Sequence, residues 1–98
     1  MQDQISVIIP CYNDGKYIQE TINRLKQQTL AASEIIVVND GSTDEYTLTV
    51  LENIDQNPLV KVLHKENGRM SAARNYGVKH ATGNVIVTLD AEDRKSVV

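Results

Sequence analysis

Four short runs of β-branched and aliphatic residues alternate with three stretches of helical periodicity, and this alternation limits the chain to very few folds. The runs are Ile5-Ser6-Val7-Ile8-Ile9, Glu34–Asn39 with its centre Ile35–Val38, Val60–His64, and Val85–Leu89. Between the first two, Ile18, Ile22, Leu25 and Leu30 recur at helical spacing and predict a helix from about Lys16 to Thr29. Thr47, Val50, Leu51 and Ile54 make one face of a second helix, with Ser42 or Thr43 expected as its cap and Asp44 and Glu45 in its first turn. A third helix, from about Met70 to Ala81, presents only the small residues Ala73, Gly77 and Ala81 to the core. The order β-α-β-α-β-α-β implies an α/β fold, a Rossmann-like open parallel sheet wound by right-handed crossovers. The expected strand order is 3-2-1-4.

The first two strands are apolar nearly throughout, as expected when both faces are covered. The run before Asp90 reads as a buried strand of the same kind, whereas alternation in Val60–His64 points to a sheet edge. Pro10 lacks an N–H and is expected to stop the first ladder. Asn67-Gly68 is a turn pair, and Thr82-Gly83 closes the third helix.

Ninety-eight residues allow one domain, which is small for an enzyme holding two substrates. With no Phe or Trp, the core must be built from Ile, Val, Leu and Ala. A net charge of −3 gives no basic surplus to suggest nucleic acid as a partner. The single cysteine, Cys11, excludes an internal disulfide and a cysteine-based zinc cluster, and it fits a reducing, cytoplasmic setting. No signal peptide is expected from the polar start. No apolar stretch approaches the roughly 18 residues of a membrane span.

Three polar loops, Pro10–Gly15, Asn39–Asp44 and Asp90–Asp93, follow strands 1, 2 and 4. Open α/β sheets bind ligands at that carboxyl edge, so a ligand site is expected there. Asp40 reads either as a turn residue or as an acceptor for ribose hydroxyls or a base N–H. Tyr12 either covers the end of the core or lies against a nucleobase. Arg74 is either a solvated helix residue or a guanidinium aimed at a base or phosphate, on a helix kept small around it. His64 and His80 are expected to face solvent, and Cys11 to be a small loop residue. Asp90, Glu92 and Asp93 repel one another unless a cation lies among them. Their hard oxygen ligands suit Mg²⁺ or Mn²⁺, the alternative being a solvated acidic turn.

The segments SVIIPCYN, VVNDGSTD, NGRMSAARNYG and GNVIVTLDAED, in this order, resemble the amino-terminal, nucleotide-sugar-binding half of a family 2 glycosyltransferase with the GT-A fold. The resemblance spans residues 4–93. It implies an inverting, metal-dependent enzyme moving a sugar from a nucleotide-diphosphate donor, commonly UDP-linked, to a hydroxyl of a glycan or lipid-linked glycan. Work in cell-envelope polysaccharide synthesis, in the cytoplasm or at the cytoplasmic face of a membrane, would follow.

Carried over by position, Pro10 and Tyr12 match the loop lining the base, with Tyr12 as the stacking ring. Asp40 matches the acidic residue that hydrogen-bonds the base, and Arg74 the helix arginine that contacts the nucleotide. Asp90-Ala91-Glu92 falls on the DxD motif, Asp90 near ribose and metal and Glu92 on the metal. Glu92 stands where the family has Asp, so Asp93 is a further candidate ligand. The acceptor-binding half and its general base are expected beyond Val98, leaving residues 1–98 as a donor-binding portion of a truncated domain, without turnover.

Other nucleotide-binding folds fit less well. A dinucleotide-binding oxidoreductase domain needs G-x-G-x-x-G after the first strand, where this chain has Pro10-Cys11-Tyr12-Asn13-Asp14-Gly15. A nucleotidyltransferase, the alternative enzyme, would place a Gly-rich basic loop there. A receiver-like signalling module wants an acidic pair after strand 1 and an Asp after strand 3, where Asp14 stands alone and His64-Lys65 follows.

Overall fold

The computed structural model describes residues 4–27 and 32–89. Seven elements follow in the expected order: β1 (Ile5–Cys11), α1 (Gly15–Gln27), β2 (Glu34–Asp40), α2 (Glu45–Ile54), β3 (Val60–Lys65), α3 (Met70–His80) and β4 (Val85–Thr88). All strand pairs are parallel, in the order β3-β2-β1-β4. The alternation and strand order expected from the sequence are both present.

Strand periodicity divides the core into two layers. Val7, Ile9 and Cys11 of β1 and Ile35 and Val37 of β2 face one way, where Ile18 and Ile22 of α1 and Val50, Leu51 and Ile54 of α2 cover them. Ile8, Ile36 and Val38 face the other way, onto Ala73 of α3. The small face of α3 has a steric cause. A Cβ added to Gly77 would lie 2.5 Å from Ile8 Cγ2 and 3.0 Å from Val38 Cγ2, so the helix lies directly on the sheet.

Three readings need correction. Strand β4 is not buried: Val85 is half-buried, while Ile86, Val87 and Thr88 are exposed. It is an edge strand, and among the described residues the helices cover the centre of the sheet, not this margin. Pro10 does not end β1, which pairs with β2 as far as Cys11. Alternate residues of β1 serve opposite neighbours. The carbonyls of Gln4 and Ile8 accept from Val85 and Leu89 on the β4 side, and Pro10 falls in the same register. Its missing N–H therefore closes the β4 ladder and leaves the β2 ladder intact. The α2 cap is Asp44, whose Oδ2 accepts from Thr47 N at 3.0 Å, while the hydroxyls of Ser42 and Thr43 accept from Asn13 instead.

Strand β3 is an edge strand, as its alternation suggested, and its open side is blunted. Val60 N donates to Asn57 O and Val62 N donates to Asp55 Oδ1, so two outward N–H groups are occupied by the chain itself. No helix among the described residues is long and apolar enough to cross a membrane.

Candidate functional site

The carboxyl ends of β1 and β2 lie side by side, in register to the pair Cys11–Asn39, so Tyr12 and Asp40 leave the sheet at the same level. Tyr12 is exposed and follows Pro10, which is buried. Asp40 closes β2 on the α3 side of the sheet, two residues after Val38. Helix α3 begins at this same edge and carries Arg74, half-buried and next to Ala73 at the sheet contact. Among the described residues, the Arg74 side chain makes no hydrogen bond or ion pair. Pro10, Tyr12 and Asp40 thus lie at one edge of the sheet, and Arg74 lies on the second turn of the helix that follows the neighbouring strand end. Asp90, Glu92 and Asp93 lie outside the described residues. The last described residue, Leu89, donates its N–H to Ile8 O at 2.8 Å.

Asp40 is neither a turn nor a cap. Only 2% exposed, it receives Lys65 Nζ at 2.8 Å and Gly68 N at 3.0 Å on Oδ1, while Asn67 Nδ2 donates to its backbone carbonyl. A carboxylate buried this deeply requires a cation and donors, and the loop after β3 brings both. Gly41 follows with φ of 73°, where a Cβ would lie 2.6 Å from Asn67 N. Glycine is needed there both for the left-handed backbone and for the close approach.

Asn13 ties the loop after β1 to the loop after β2, and Asn39 ties that second loop to β3; neither was singled out by sequence reasoning. Asn13 takes a left-handed φ of 54°, a conformation in which Asn is enriched. Its N–H donates to Ser42 Oγ at 3.0 Å, and its Oδ1 accepts from Thr43 N and Asp44 N, both at 2.9 Å. Asn39 Oδ1 accepts from Ser42 N, and its Nδ2 donates to His64 Nδ1 at 3.0 Å. Their signal in the sequence was an Asn in each loop, beside Tyr12 and beside Asp40.

Cys11 is a strand residue and wholly buried rather than part of a loop. Burial pushes its thiol above the ordinary range, outweighing hydrogen bonds from the Asp14 backbone and Ser42, so it is a poor nucleophile. His64 and His80 are exposed as expected; His80 Nδ1 meets Tyr76 O. Among the described residues no group of three His, Cys, Asp or Glu could hold a metal ion. The oxygen donors of Asp90, Glu92 and Asp93 match a hard divalent cation in their chemistry.

The family model for glycosyl transferase family 2 matches residues 6–94. The chain is 39% identical over 89 residues to the uncharacterized glycosyltransferase EpsJ of Bacillus subtilis, covering 91% of this chain and 26% of EpsJ. Crystalline S. aureus TarS 1–349 in complex with UDP superposes with a TM-score of 0.78 at 34% identity, over 91% of this chain and 27% of that one. The mannosyltransferase PcManGT of Pyrobaculum calidifontis, in complex with GDP-Man and Mn²⁺, gives 0.74 at 27% identity, over 94% and 28%. The chain therefore spans about a quarter of the length of each of these proteins. With the family match running from the first strand past the last, and the expected open parallel sheet in place, the chain belongs to glycosyl transferase family 2.

Proposed function

We propose that residues 1–98 are the donor-binding portion of an inverting, metal-dependent glycosyltransferase that moves a sugar from a nucleotide-diphosphate donor to an acceptor hydroxyl. The observation that carries this reading is the juxtaposition of Tyr12 and Asp40 at adjacent strand ends, on the side of the sheet covered by the helix bearing Arg74. TarS has been crystallised with UDP, and PcManGT with GDP-Man and Mn²⁺, in support of a nucleotide sugar and a divalent cation.

In this reading Tyr12 stacks on the base, Pro10 shapes the floor beneath it, and Asp40 accepts from a base N–H. Arg74 brings its planar guanidinium to the nucleotide. Asp90 serves ribose and metal, and Glu92, with Asp93, holds Mg²⁺ or Mn²⁺. When bound, that cation would offset charge on the diphosphate leaving group. The protein's own contribution is a rigid edge. Hydrogen bonds through Asn13, Asn39 and Asp40 hold the loops before a ligand arrives, which reduces the ordering cost of binding.

The acceptor, a glycan or lipid-linked glycan, and the general base that activates its hydroxyl belong to sequence beyond residue 98. The exposed Ile86 and Val87 of β4, set against the self-occupied N–H groups of β3, favour β4 as the edge where the sheet continues. The enzyme would work in the cytoplasm or at the cytoplasmic face of a membrane. The 98-residue chain alone would not turn over.

Calorimetry with UDP, with and without Mn²⁺, tests the site. Asp40→Ala and Glu92→Ala are expected to weaken UDP–Mn²⁺ binding about tenfold or more. Unchanged binding in both variants would remove the assignment, and sugar transfer by the 98-residue chain would refute the division of labour.

A further inference from the structure

Related chains of this fold have been crystallised with both a uridine and a guanosine diphosphate, so the fold leaves the base open. We infer that Lys65 sets base choice at this site, by occupying one oxygen of Asp40 and leaving a single acceptor that fits uracil and disfavours guanine. The inference rests on the proposed contact between Asp40 and the base.

The geometry is asymmetric. Lys65 Nζ at 2.8 Å and Gly68 N at 3.0 Å both donate to Oδ1 of Asp40. Among the described residues no hydrogen bond engages Oδ2. The Lys65 ammonium is itself anchored, donating also to Glu66 O at 2.7 Å, and its side chain is only 18% exposed. Gly68 leaves little room for rearrangement, because a Cβ there would lie 3.1 Å from Lys65 Nζ. Carboxylate rotation that freed Oδ1 would break two bonds in a buried setting.

A free carboxylate offers two acceptor oxygens, and guanine presents two adjacent donors, N1–H and N2–H, that take both. Uracil presents one donor, N3–H, between two carbonyls. Asp40 with Oδ1 occupied is a one-acceptor reader. It satisfies the one ring donor of uracil and leaves one guanine donor without a partner, which is costly where water is excluded. Lys65 is thus a positioning residue acting through Asp40, reached in register from the end of the neighbouring strand.

Calorimetry with UDP, GDP and N3-methyl-UDP on the parent chain, Lys65→Met, Lys65→Arg and Asp40→Ala tests this. The parent should bind UDP at least about tenfold more tightly than GDP or N3-methyl-UDP. Lys65→Met removes the charged donor and leaves Oδ1 with the Gly68 N–H, so acceptor capacity on Oδ1 opens to a second base donor. The UDP/GDP ratio should then fall toward one, a readout that general loosening would not move. If Lys65→Met fails to fold, Lys65→Arg carries the test. Its fork reaches both carboxylate oxygens, preserving the ion pair and Tm while weakening UDP about tenfold. A Lys65 variant that folds and keeps the parent ratio and UDP affinity overturns the role of Lys65. If Asp40→Ala binds UDP as the parent does, or no nucleotide binds the parent, the underlying reading of the site is what fails.

Discussion

The backbone N–H of Gly15 donates to Oγ1 of Thr47 at 3.0 Å, joining the first residue of α1 to the buried face of α2. Thr47 Oγ1 donates in turn to Asp44 Oδ2 at 2.8 Å, so one hydroxyl serves the starts of both helices. The contact is too close for any side chain at position 15: a Cβ would lie 2.7 Å from Thr47 Cα. Gly15→Ala should cost about 1–3 kcal/mol from overpacking, and Thr47→Val a similar amount through two lost hydrogen bonds. Urea denaturation of the two variants checks both values.

Asn13 offers a second stability test with a functional readout. Asn13→Ala removes the acceptor for Thr43 N and Asp44 N and puts alanine at a positive φ. The expected loss is about 1–3 kcal/mol. Asn13→Gly should lose less, because glycine accepts that backbone without strain. Both should weaken UDP binding, since Tyr12 is the adjacent residue. Equal stability of the two variants would show that φ is not part of the cost.

Glu34 gives a pH prediction. Its Oε2 accepts from Ser6 Oγ at 2.6 Å, Thr82 N at 2.7 Å and Thr82 Oγ1 at 3.0 Å, with Lys61 Nζ 3.9 Å from Oε1. Desolvation is the largest single influence and alone would raise its pKa. The bonds from Ser6 and Thr82, with the charge of Lys61, together outweigh it and hold the carboxyl below the usual 4.5. A depressed folded-state pKa contributes stability that is present above the unfolded value and lost as pH falls through the folded one. Stability of the parent relative to Glu34→Gln should therefore be constant above about pH 5 and shrink below about pH 4.5. Thermal melts across that range read the difference.

Much of this architecture was legible in the sequence because two periodicities dominate it. Thr47, Val50, Leu51 and Ile54, expected as one helical face, are the buried residues of α2. Ala73 and Gly77 meet the sheet as their spacing implied. The exposure of β4 was not legible, since an apolar run reads alike at a centre and at an edge left open by its neighbours. Nor was the α2 cap. Ser42, Thr43 and Asp44 all suit that role, and the choice is made by Asn13 across a separation of 30 residues. The Lys65–Asp40 pair depends on the β2–β3 register, which no local pattern encodes.

Titration of UDP and Mn²⁺ into the isotopically labelled chain, followed by amide NMR, tests the central claim most directly. The account predicts shifts concentrated at Tyr12, Asp40, Gly68, Arg74 and residues 90–93, with Asp40→Ala suppressing them. Shifts confined to the opposite side of the sheet, around Leu48, Asp55 and Val62 between α2 and β3, would contradict it.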